Sequence, residues 1–201
     1  MDYTVITDFT NPLYGKSYEE VLESVKNDGL FIKYVQTQTP ELCLAAVKKD
    51  AYNLKYIREQ TPELCMFAIQ QSPFALKFIN EQTPELCMFA IQQSPFAFDF
   101  IRVQTPELCL AAVQRNPFAI KYVHNQTEEL CKLALEKTTY VLKFIREQTP
   151  ELCMFAVQQN SSALKLIHVQ TLELCLAAVR TDEYALEYVC DEFYKEVEAS
   201  L

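Results

Sequence analysis

A repeat of 22 residues constrains this chain more than any other feature. A threonine followed two residues later by Glu-Leu-Cys recurs without a change of spacing, in units that begin at residues 39, 61, 83, 105, 127, 149 and 171. An eighth, degenerate unit begins at residue 17, with Ser17 in the threonine position and Val21 in the cysteine position. A constant period of this length is typical of repeat proteins, in which each unit buries its apolar face against its neighbours.

Each unit contains two signals for the start of a helix. Thr61-Pro62 combines an N-cap hydroxyl with a proline at the first helical position, where no backbone donor is lost. Ser72-Pro73 repeats the signal later in the same unit. We therefore predict a helix A over 62–71 and a helix B over 73–81.

The apolar residues of each helix fall on one side when they are placed at 100° per residue. Helices of this length are marginal alone in water, so stacking between units has to stabilise them. The residues predicted on the inner face are Leu64, Cys65, Ala68 and Ile69 in helix A and Phe74, Ala75, Phe78 and Ile79 in helix B.

These patterns predict an all-α fold, an α-solenoid of stacked short helical hairpins. A leucine-rich repeat has a compatible period but lacks its LxxLxLxxN signature here, and paired prolines do not suit a parallel sheet. Tetratricopeptide and ankyrin repeats are longer, at about 33 to 34 residues. We expect an N-terminal extension over 1–16, a single repeat domain over 17–192 and a C-terminal helix extension or cap over 193–201.

The charge distribution argues against nucleic acid and membranes as partners. The net charge is −9, but residues 39–181 carry 14 acids and 14 bases, so the excess of acid lies at the two ends. Binding to phosphate backbones or anionic lipids requires clustered Lys and Arg. No apolar run approaches the roughly 20 residues of a membrane span, and the acidic start lacks a basic signal-peptide region, so we expect a cytoplasmic protein.

The units TPELCLAAVKKDAYNLKYIREQ and TPELCLAAVQRNPFAIKYVHNQ resemble a short helical repeat found in proteins of giant amoebal viruses and some intracellular bacteria. That family is catalogued only as a domain of unknown function. The resemblance extends over residues 17–192 and implies a viral protein in the host cytoplasm, with no catalytic residue to transfer. The departures from the pattern are Glu128 and Leu172 in place of proline, Lys132 in place of Leu or Met, and Ser162 in place of the aromatic residue.

Seven cysteines occupy the same position of helix A. Stacked helices lie about 8 to 10 Å apart, whereas a disulfide needs Cα atoms about 4.4 to 6.8 Å apart. We therefore expect reduced, buried thiols that pack as small apolar groups, and the zinc alternative lacks a CxxC or CxxxxH spacing. These residues are Cys43, Cys65, Cys87, Cys109, Cys131, Cys153 and Cys175.

A glutamine precedes every threonine cap. Turns between helices leave backbone groups without helical partners, so we predict that these amides bridge loop backbone groups of adjacent hairpins. A row that reads a ligand is the alternative. The residues are Gln38, Gln60, Gln82, Gln104, Gln126, Gln148 and Gln170.

Basic residues recur on helix B and form a candidate interaction surface, although a solvated face is the simpler interpretation. Asp99 and Glu187 interrupt this row. His124 and His168 are predicted to be solvated. The candidate residues are Lys55, Arg58, Lys77, Arg102, Lys121, Lys143, Arg146 and Lys165, together with the apolar Met66, Phe67, Met88 and Phe89 at the edge of helix A.

The C-terminal end is expected to differ from the other repeats because its last helix continues past the usual stop. This extension either folds over the final hairpin as a cap or forms a dimer contact. The stripe predicted on its surface contains Leu186, Cys190, Phe193, Val197 and Leu201.

No arrangement of residues points to catalysis, a cofactor or a metal. No nucleophile has a base and an orienting group near it in the repeat, and two glycines cannot supply a phosphate-binding loop. We expect a non-enzymatic scaffold that binds another protein. The alternatives are a structural component that self-associates, as a homodimer, and binding of nucleic acid through the basic row.

Overall fold

A computed structural model of the chain describes residues 10–201. Residues 1–9, and with them most of the predicted N-terminal extension, lie outside this range. Within it the regular structure is entirely helical and follows the 22-residue period. The α-helices are α1 (Tyr18–Asn27), α2 (Pro40–Lys49), α3 (Pro62–Gln71), α4 (Pro84–Gln93), α5 (Pro106–Arg115), α6 (Glu128–Lys137), α7 (Pro150–Gln159), α8 (Leu172–Thr181) and α9 (Asp191–Glu198).

Helix B differs from the prediction, because it is a six-residue 3-10 helix in every repeat. In the unit that begins at Thr61 it ends at Phe78, whereas an α-helix was predicted to continue to residue 81. The 3-10 helices are η1 (Gly29–Tyr34), η2 (Ala51–Tyr56), η3 (Pro73–Phe78), η4 (Pro95–Phe100), η5 (Pro117–Tyr122), η6 (Thr139–Phe144), η7 (Ser161–Leu166) and η8 (Glu183–Tyr188).

The caps explain where each helix begins and ends. In α3 the Thr61 hydroxyl accepts a hydrogen bond from the Leu64 N–H, and the same contact recurs at the start of α2 and of α4 to α8. At the other end Asp50 stops α2 in an extended conformation (φ −156°, ψ 122°), and its carboxylate accepts from the Tyr52 N–H to start η2. One residue thus ends the α-helix and begins the 3-10 helix, which makes each hairpin tight.

The repeats form two compact units, one that ends at Val103 and one that comprises Gln104–Leu201. The sequence predicts one domain over 17–192, and its period passes through this boundary unchanged. In the first unit α1 to α4 pack side by side in chain order, and η1 to η4 pack in a second row against them. In the second unit α5 to α9 and η5 to η8 are arranged in the same way.

The core of each unit lies between its row of α-helices and its row of 3-10 helices. In α3 the buried residues are those predicted, Leu64, Cys65, Ala68 and Ile69. On helix B the prediction was partly wrong. Ala75, Leu76 and Ile79 are buried, whereas Phe74 and Phe78 are only half-buried. The tighter turn of a 3-10 helix places residues i and i+3 above one another, so Leu76 shares the inner side with Ile79.

Short segments cover the two ends of the described chain. Near the N-terminus Leu13 is fully buried, and the Asn11 amide donates to the Tyr34 carbonyl at 2.8 Å, closing the end of η1. At the C-terminus the last 3-10 helix does not continue as predicted. It ends at Tyr188, and the separate helix α9 packs against α8 with Val197 fully buried.

Candidate protein-interaction surface

Glutamine side chains join consecutive 3-10 helices. Gln82 Nε2 donates to the carbonyls of Leu76, in its own repeat, and Phe100, in the next, at 2.9 Å each. Its Oε1 accepts from the Arg102 N–H at 2.9 Å. Because the side chain makes all three bonds within the chain, it is not open to a ligand.

The same arrangement recurs at the other glutamines of the series. Each donates to a carbonyl of the following 3-10 helix, at distances from 2.7 Å at Gln170 to 3.1 Å at Gln148. Each also accepts from the N–H two residues beyond that carbonyl. These glutamine rungs, the side chains that bond one 3-10 helix to the next, satisfy a carbonyl and an N–H at the end of each of these helices. The remaining members are Gln38, Gln60, Gln104 and Gln126.

The arginines of the predicted interaction row are bound within the chain. Arg102 Nη1 donates to the Asn80 carbonyl at 3.0 Å and its Nη2 to the Lys77 carbonyl at 3.3 Å. Arg146 Nη1 donates to the His124 carbonyl at 2.8 Å, and Arg58 makes the equivalent bond to Gln36. Each guanidinium thus ties its repeat to the preceding one while the side chain remains exposed, and the prediction that these arginines contact a partner stays a prediction.

The lysines of the row are arranged differently, since each ammonium lies over an aromatic ring. Lys55 Nζ lies 4.7 Å from the centroid of Tyr56, and Lys77 Nζ lies 4.7 Å from that of Phe78 and 4.8 Å from that of Tyr52. All are exposed. Within residues 10–201 none of them forms an ion pair, and the pair found there joins Lys132 to Glu128.

These lysines and rings define a basic-aromatic face on the 3-10 helices of each unit. The sequence prediction missed the rings because it assigned Phe74 and Phe78 to the inner side of an α-helix. A Lys-Phe or Lys-Tyr pair in most repeats was the signal that could have found them. The face contains Lys33, Lys55 and Lys77 with Tyr34, Tyr52, Tyr56, Phe78 and Phe100 in the first unit, and Lys121, Lys143 and Lys165 with Tyr122, Tyr140, Phe144 and Tyr188 in the second.

Several aromatic side chains beside these rings are open to solvent. Phe96 is 50% exposed, Tyr140 52% and Tyr184 85%. Large apolar side chains on a surface that has no need of them for the core are typical of binding sites. His124 and His168 are exposed at the ends of 3-10 helices, and their N–H groups are held by Gln104 and Gln148.

The apolar candidates on the α-helices differ in exposure, and one of them, Phe67, lines a shallow groove. Met66 is 45% exposed, whereas Phe67, Met88 and Phe89 are half-buried. A groove of about 350 Å³ in the first unit is lined by Phe67 together with Leu44 and Leu64. A groove of about 420 Å³ in the second unit is lined by Met154, Phe155 and Lys132, among others.

The cysteines in the repeated position are free and buried. Burial raises the pKa of Cys65, Cys131 and Cys175 to about 11. These thiols therefore stay protonated at neutral pH, and a protonated thiol is a poor nucleophile. Cys190 is only half-buried. No group of three His, Cys, Asp or Glu side chains in the described part of the chain is placed to hold a metal ion.

The five residues of the predicted C-terminal stripe do not share one helix. Leu186 lies in η8, Cys190 is the N-cap of α9, and only Phe193 and Val197 lie within α9. Val197 is fully buried, so it cannot contribute to a contact with a second copy, whereas Leu201 is 58% exposed. The break has the same cause as in the other repeats, because Gln170 binds the Tyr188 carbonyl and the Cys190 N–H.

No helix in residues 10–201 combines the length and the apolar character needed to cross a membrane.

Comparison with known proteins shows a similarity to a protein family over part of the chain. A family model described as a domain of unknown function (DUF4116) matches residues 39–86. The match covers the two repeats that begin at residues 39 and 61 and the start of the next, consistent with a repeat family catalogued only as a domain of unknown function. Neither the curated proteins nor the solved structures include a significant match to the chain.

Proposed function

We propose that this protein is a non-enzymatic helical-repeat scaffold that binds another protein through the basic-aromatic face. The observation that carries the proposal is the set of exposed lysines held over aromatic rings, repeated in both units and outside the core. Aromatic side chains supply most of the binding energy at protein interfaces, and cations beside them add specificity of charge. The arginines and glutamines, by contrast, are used to join the repeats.

We propose the α-helix grooves only as a secondary contact. They are shallow, and the first-turn glutamates that line them, such as Glu63 and Glu151, interact favourably with the helix dipole. The setting is also a proposal. The resemblance to repeats of giant amoebal viruses and intracellular bacteria supports a viral protein in the host cytoplasm. We propose that neither nucleic acid nor a membrane is the partner, because the net charge is −9 and the basic row is interrupted by acids.

A photo-crosslinking experiment tests the scaffold. A benzophenone amino acid is placed at Tyr140, which lies on the basic-aromatic face of the second unit, and in a matched variant at the exposed Glu136 of α6. We expect a discrete crosslink to one protein from position 140 and none from position 136. The captured protein is then purified and its binding measured by calorimetry. Crosslinks of equal yield from both positions, or a captured protein that does not bind when purified, would contradict the proposal.

Self-association is the second candidate, supported by Leu201 and Tyr194, which are 58% and 37% exposed at the C-terminal end. Light scattering separates it from the first candidate. A dimer at micromolar concentration that Leu201→Asp converts to a monomer would support self-association, whereas a monomeric wild-type chain would exclude it.

A further inference from the structure

The basic-aromatic face of the first unit carries one charged residue at the same position of each 3-10 helix. Lys33, Lys55, Lys77 and Asp99 occupy this position in η1, η2, η3 and η4. These four helices pack side by side in chain order. The row therefore presents three positive charges followed by one negative charge, all exposed to solvent.

The lysines are held in place by the rings beneath them. Lys77 lies over the edge-to-face pair formed by Tyr52 and Phe78, whose centroids are 5.5 Å apart. An ammonium bound to a ring face still presents its other side to solvent. Each lysine is thus positioned in advance and remains able to bind a carboxylate, because no acid of the described chain is paired with it.

Asp99 interrupts the row of lysines, but the aromatic pairs continue in the same repeat. Phe74 and Phe100 form the equivalent edge-to-face pair one repeat later, with centroids 5.9 Å apart. The residue that corresponds to Lys77 is Asp99, and a carboxylate is repelled by the negative face of an aromatic ring. This ring pair has the geometry that holds an ammonium elsewhere in the row. Lys77 of the preceding helix lies 5.7 Å from the centroid of Phe100, and η4 itself carries a carboxylate at the position of the lysine.

Glu187 is the other acid in the row, and it does not lie in a helix with an equivalent aromatic pair. The aromatic residue that would complete the ring pair at this position is replaced by Ser162, so Tyr188 has no edge-to-face partner equivalent to Phe74. The Tyr188 hydroxyl is hydrogen-bonded to Glu187, and this raises the pKa of Tyr188. Asp99 is therefore the acid of the row with an aromatic pair at its side.

We propose that the partner is an extended protein segment whose charges complement this row, with acidic residues at Lys55 and Lys77 and an arginine or lysine at Asp99. This inference rests on the proposed function and names the chemistry of the partner. Stacked helices lie about 8 to 10 Å apart, and a polyproline II segment presents every third side chain on one face at intervals of about 9 Å. The segment therefore has the pattern acid-x-x-acid-x-x-base.

The same charges disfavour nucleic acid as the occupant of the row. A phosphate backbone offers only negative charge, which suits the lysines but is repelled by Asp99.

Synthetic peptides test the proposal on the full chain. The probe is an acetylated, fluorescently labelled Asp-Pro-Pro-Asp-Pro-Pro-Asp-Pro-Pro-Arg peptide, used with the peptide of reversed sequence because the direction of binding is open. Binding is measured by anisotropy at low salt. We expect one of the two peptides to bind, and Lys55→Glu/Lys77→Glu to weaken that binding at least tenfold, since two ion pairs become repulsive.

A substitution that reverses the charge of Asp99 tests the proposed binding site for a basic side chain of the partner. We expect Asp99→Lys to weaken binding of the arginine-containing peptide about five- to tenfold, since an ion pair and a cation–π contact are both lost. The same variant should bind a peptide with aspartate in place of that arginine better than wild type does. Glu81→Lys is the matched control, because it makes the same change of charge at an exposed residue of the same unit, and it should preserve the preference for arginine.

Three results with the peptides would overturn the inference. They are binding of neither peptide, equal binding by wild type and Lys55→Glu/Lys77→Glu, and an arginine preference that Asp99→Lys leaves unchanged. Tighter binding of a ten-nucleotide single-stranded DNA than of either peptide would overturn it in favour of nucleic acid. The crosslinking experiment at Tyr140 does not depend on these substitutions. If it captures a partner while the peptide experiments fail, the proposed scaffold function is retained and only the inferred charge pattern of the partner is rejected.

Discussion

At the scale of single residues, the close approach of Gly29 to Asn53 shows how neighbouring repeats adjust to one another. Asn53 is buried and its Nδ2 donates to the Ala46 carbonyl at 3.0 Å, where most other repeats have alanine. A Cβ on Gly29 would lie 2.2 Å from that Nδ2 and 2.8 Å from the Ala46 carbonyl oxygen. The larger residue in one repeat is therefore matched by the missing side chain in the preceding one.

Gly29→Ala is expected to lower the free energy of unfolding by about 1 to 3 kcal/mol, the usual range for overpacking. In an Asn53→Ala background the cost should be smaller but not zero, because the clash with the Ala46 carbonyl remains. Chemical denaturation of the two single variants and the double variant measures the difference. Strictly additive effects would show that the two residues do not share this space.

The buried thiols make stability depend on alkaline pH. The pKa of Cys65, Cys131 and Cys175 is raised from 9.0 to about 11 by burial in the folded chain. Below pH 9 the thiols are protonated in both states, so their contribution is fully present, and it is lost as the pH rises towards 11 because only the unfolded chain ionises. We expect the free energy of unfolding to fall over this interval.

A triple Cys→Ala variant at these three positions isolates the effect. Its stability should fall less steeply between pH 8.5 and 10.5, because the lysines and tyrosines that also titrate there are common to both proteins. Denaturation curves at each pH give the two slopes. Identical slopes would mean that the thiols ionise equally in the folded and unfolded chain.

At the scale of elements, the glutamine rungs stabilise the 3-10 helices. Gln82→Leu keeps the approximate volume but leaves the Leu76 and Phe100 carbonyls and the Arg102 N–H without their partner. We expect a loss of about 2 to 4 kcal/mol, because each unmade hydrogen bond to a shielded backbone group costs about 1 to 3 kcal/mol and water reaches part of this site. Equilibrium unfolding in guanidinium chloride measures the loss.

Gln70→Leu is the matched control for this variant. Gln70 is exposed on α3, so the same substitution there should change stability by less than about 0.5 kcal/mol. A Gln82→Leu variant as stable as this control would show that the rung contributes nothing.

These rungs also explain which parts of the fold could be predicted from the sequence. The bounds of α3 follow from local signals, a threonine cap with proline at one end and a serine at the other, and the predicted range 62–71 is confirmed. The type of helix B could not be read in the same way. An α-helix and a 3-10 helix differ in the partner of each carbonyl, and the Leu76 carbonyl is bound by the side chain of Gln82, outside the helix.

The candidate surface, like the helices, could be predicted only in part from the sequence. The exposure of the lysines could be predicted from their position in the repeat. The hydrogen bonds of the arginines could not, because they are made to backbone carbonyls 22 residues earlier, such as that of Asn80 for Arg102. The rings were misplaced because the assumed 100° rotation directs Phe78 inward. Local periodicity therefore recovers the α-helices and their core, and contacts between repeats decide the rest.

At the scale of the whole molecule, two compact units follow from one repeating pattern. Within each unit, the helices of a described repeat pack against those of the repeats next to it in the chain, so the stability of such an array is close to a sum of local terms. Leu54 and Leu142 are fully buried at the same position of η2 and η6, one in each unit. They allow the same cavity to be made once in each unit.

Leu54→Ala and Leu142→Ala are each expected to cost about 2 to 5 kcal/mol, because a cavity replaces a fully buried side chain. In an array of local interactions this loss should be confined, so amide exchange should accelerate most in α2 and α3 for the first variant and in α6 and α7 for the second. Hydrogen exchange followed by mass spectrometry of peptic fragments resolves these helices. If both variants instead accelerate exchange equally along the entire chain, the two units unfold as one cooperative body, and local interactions do not govern the stability of this protein.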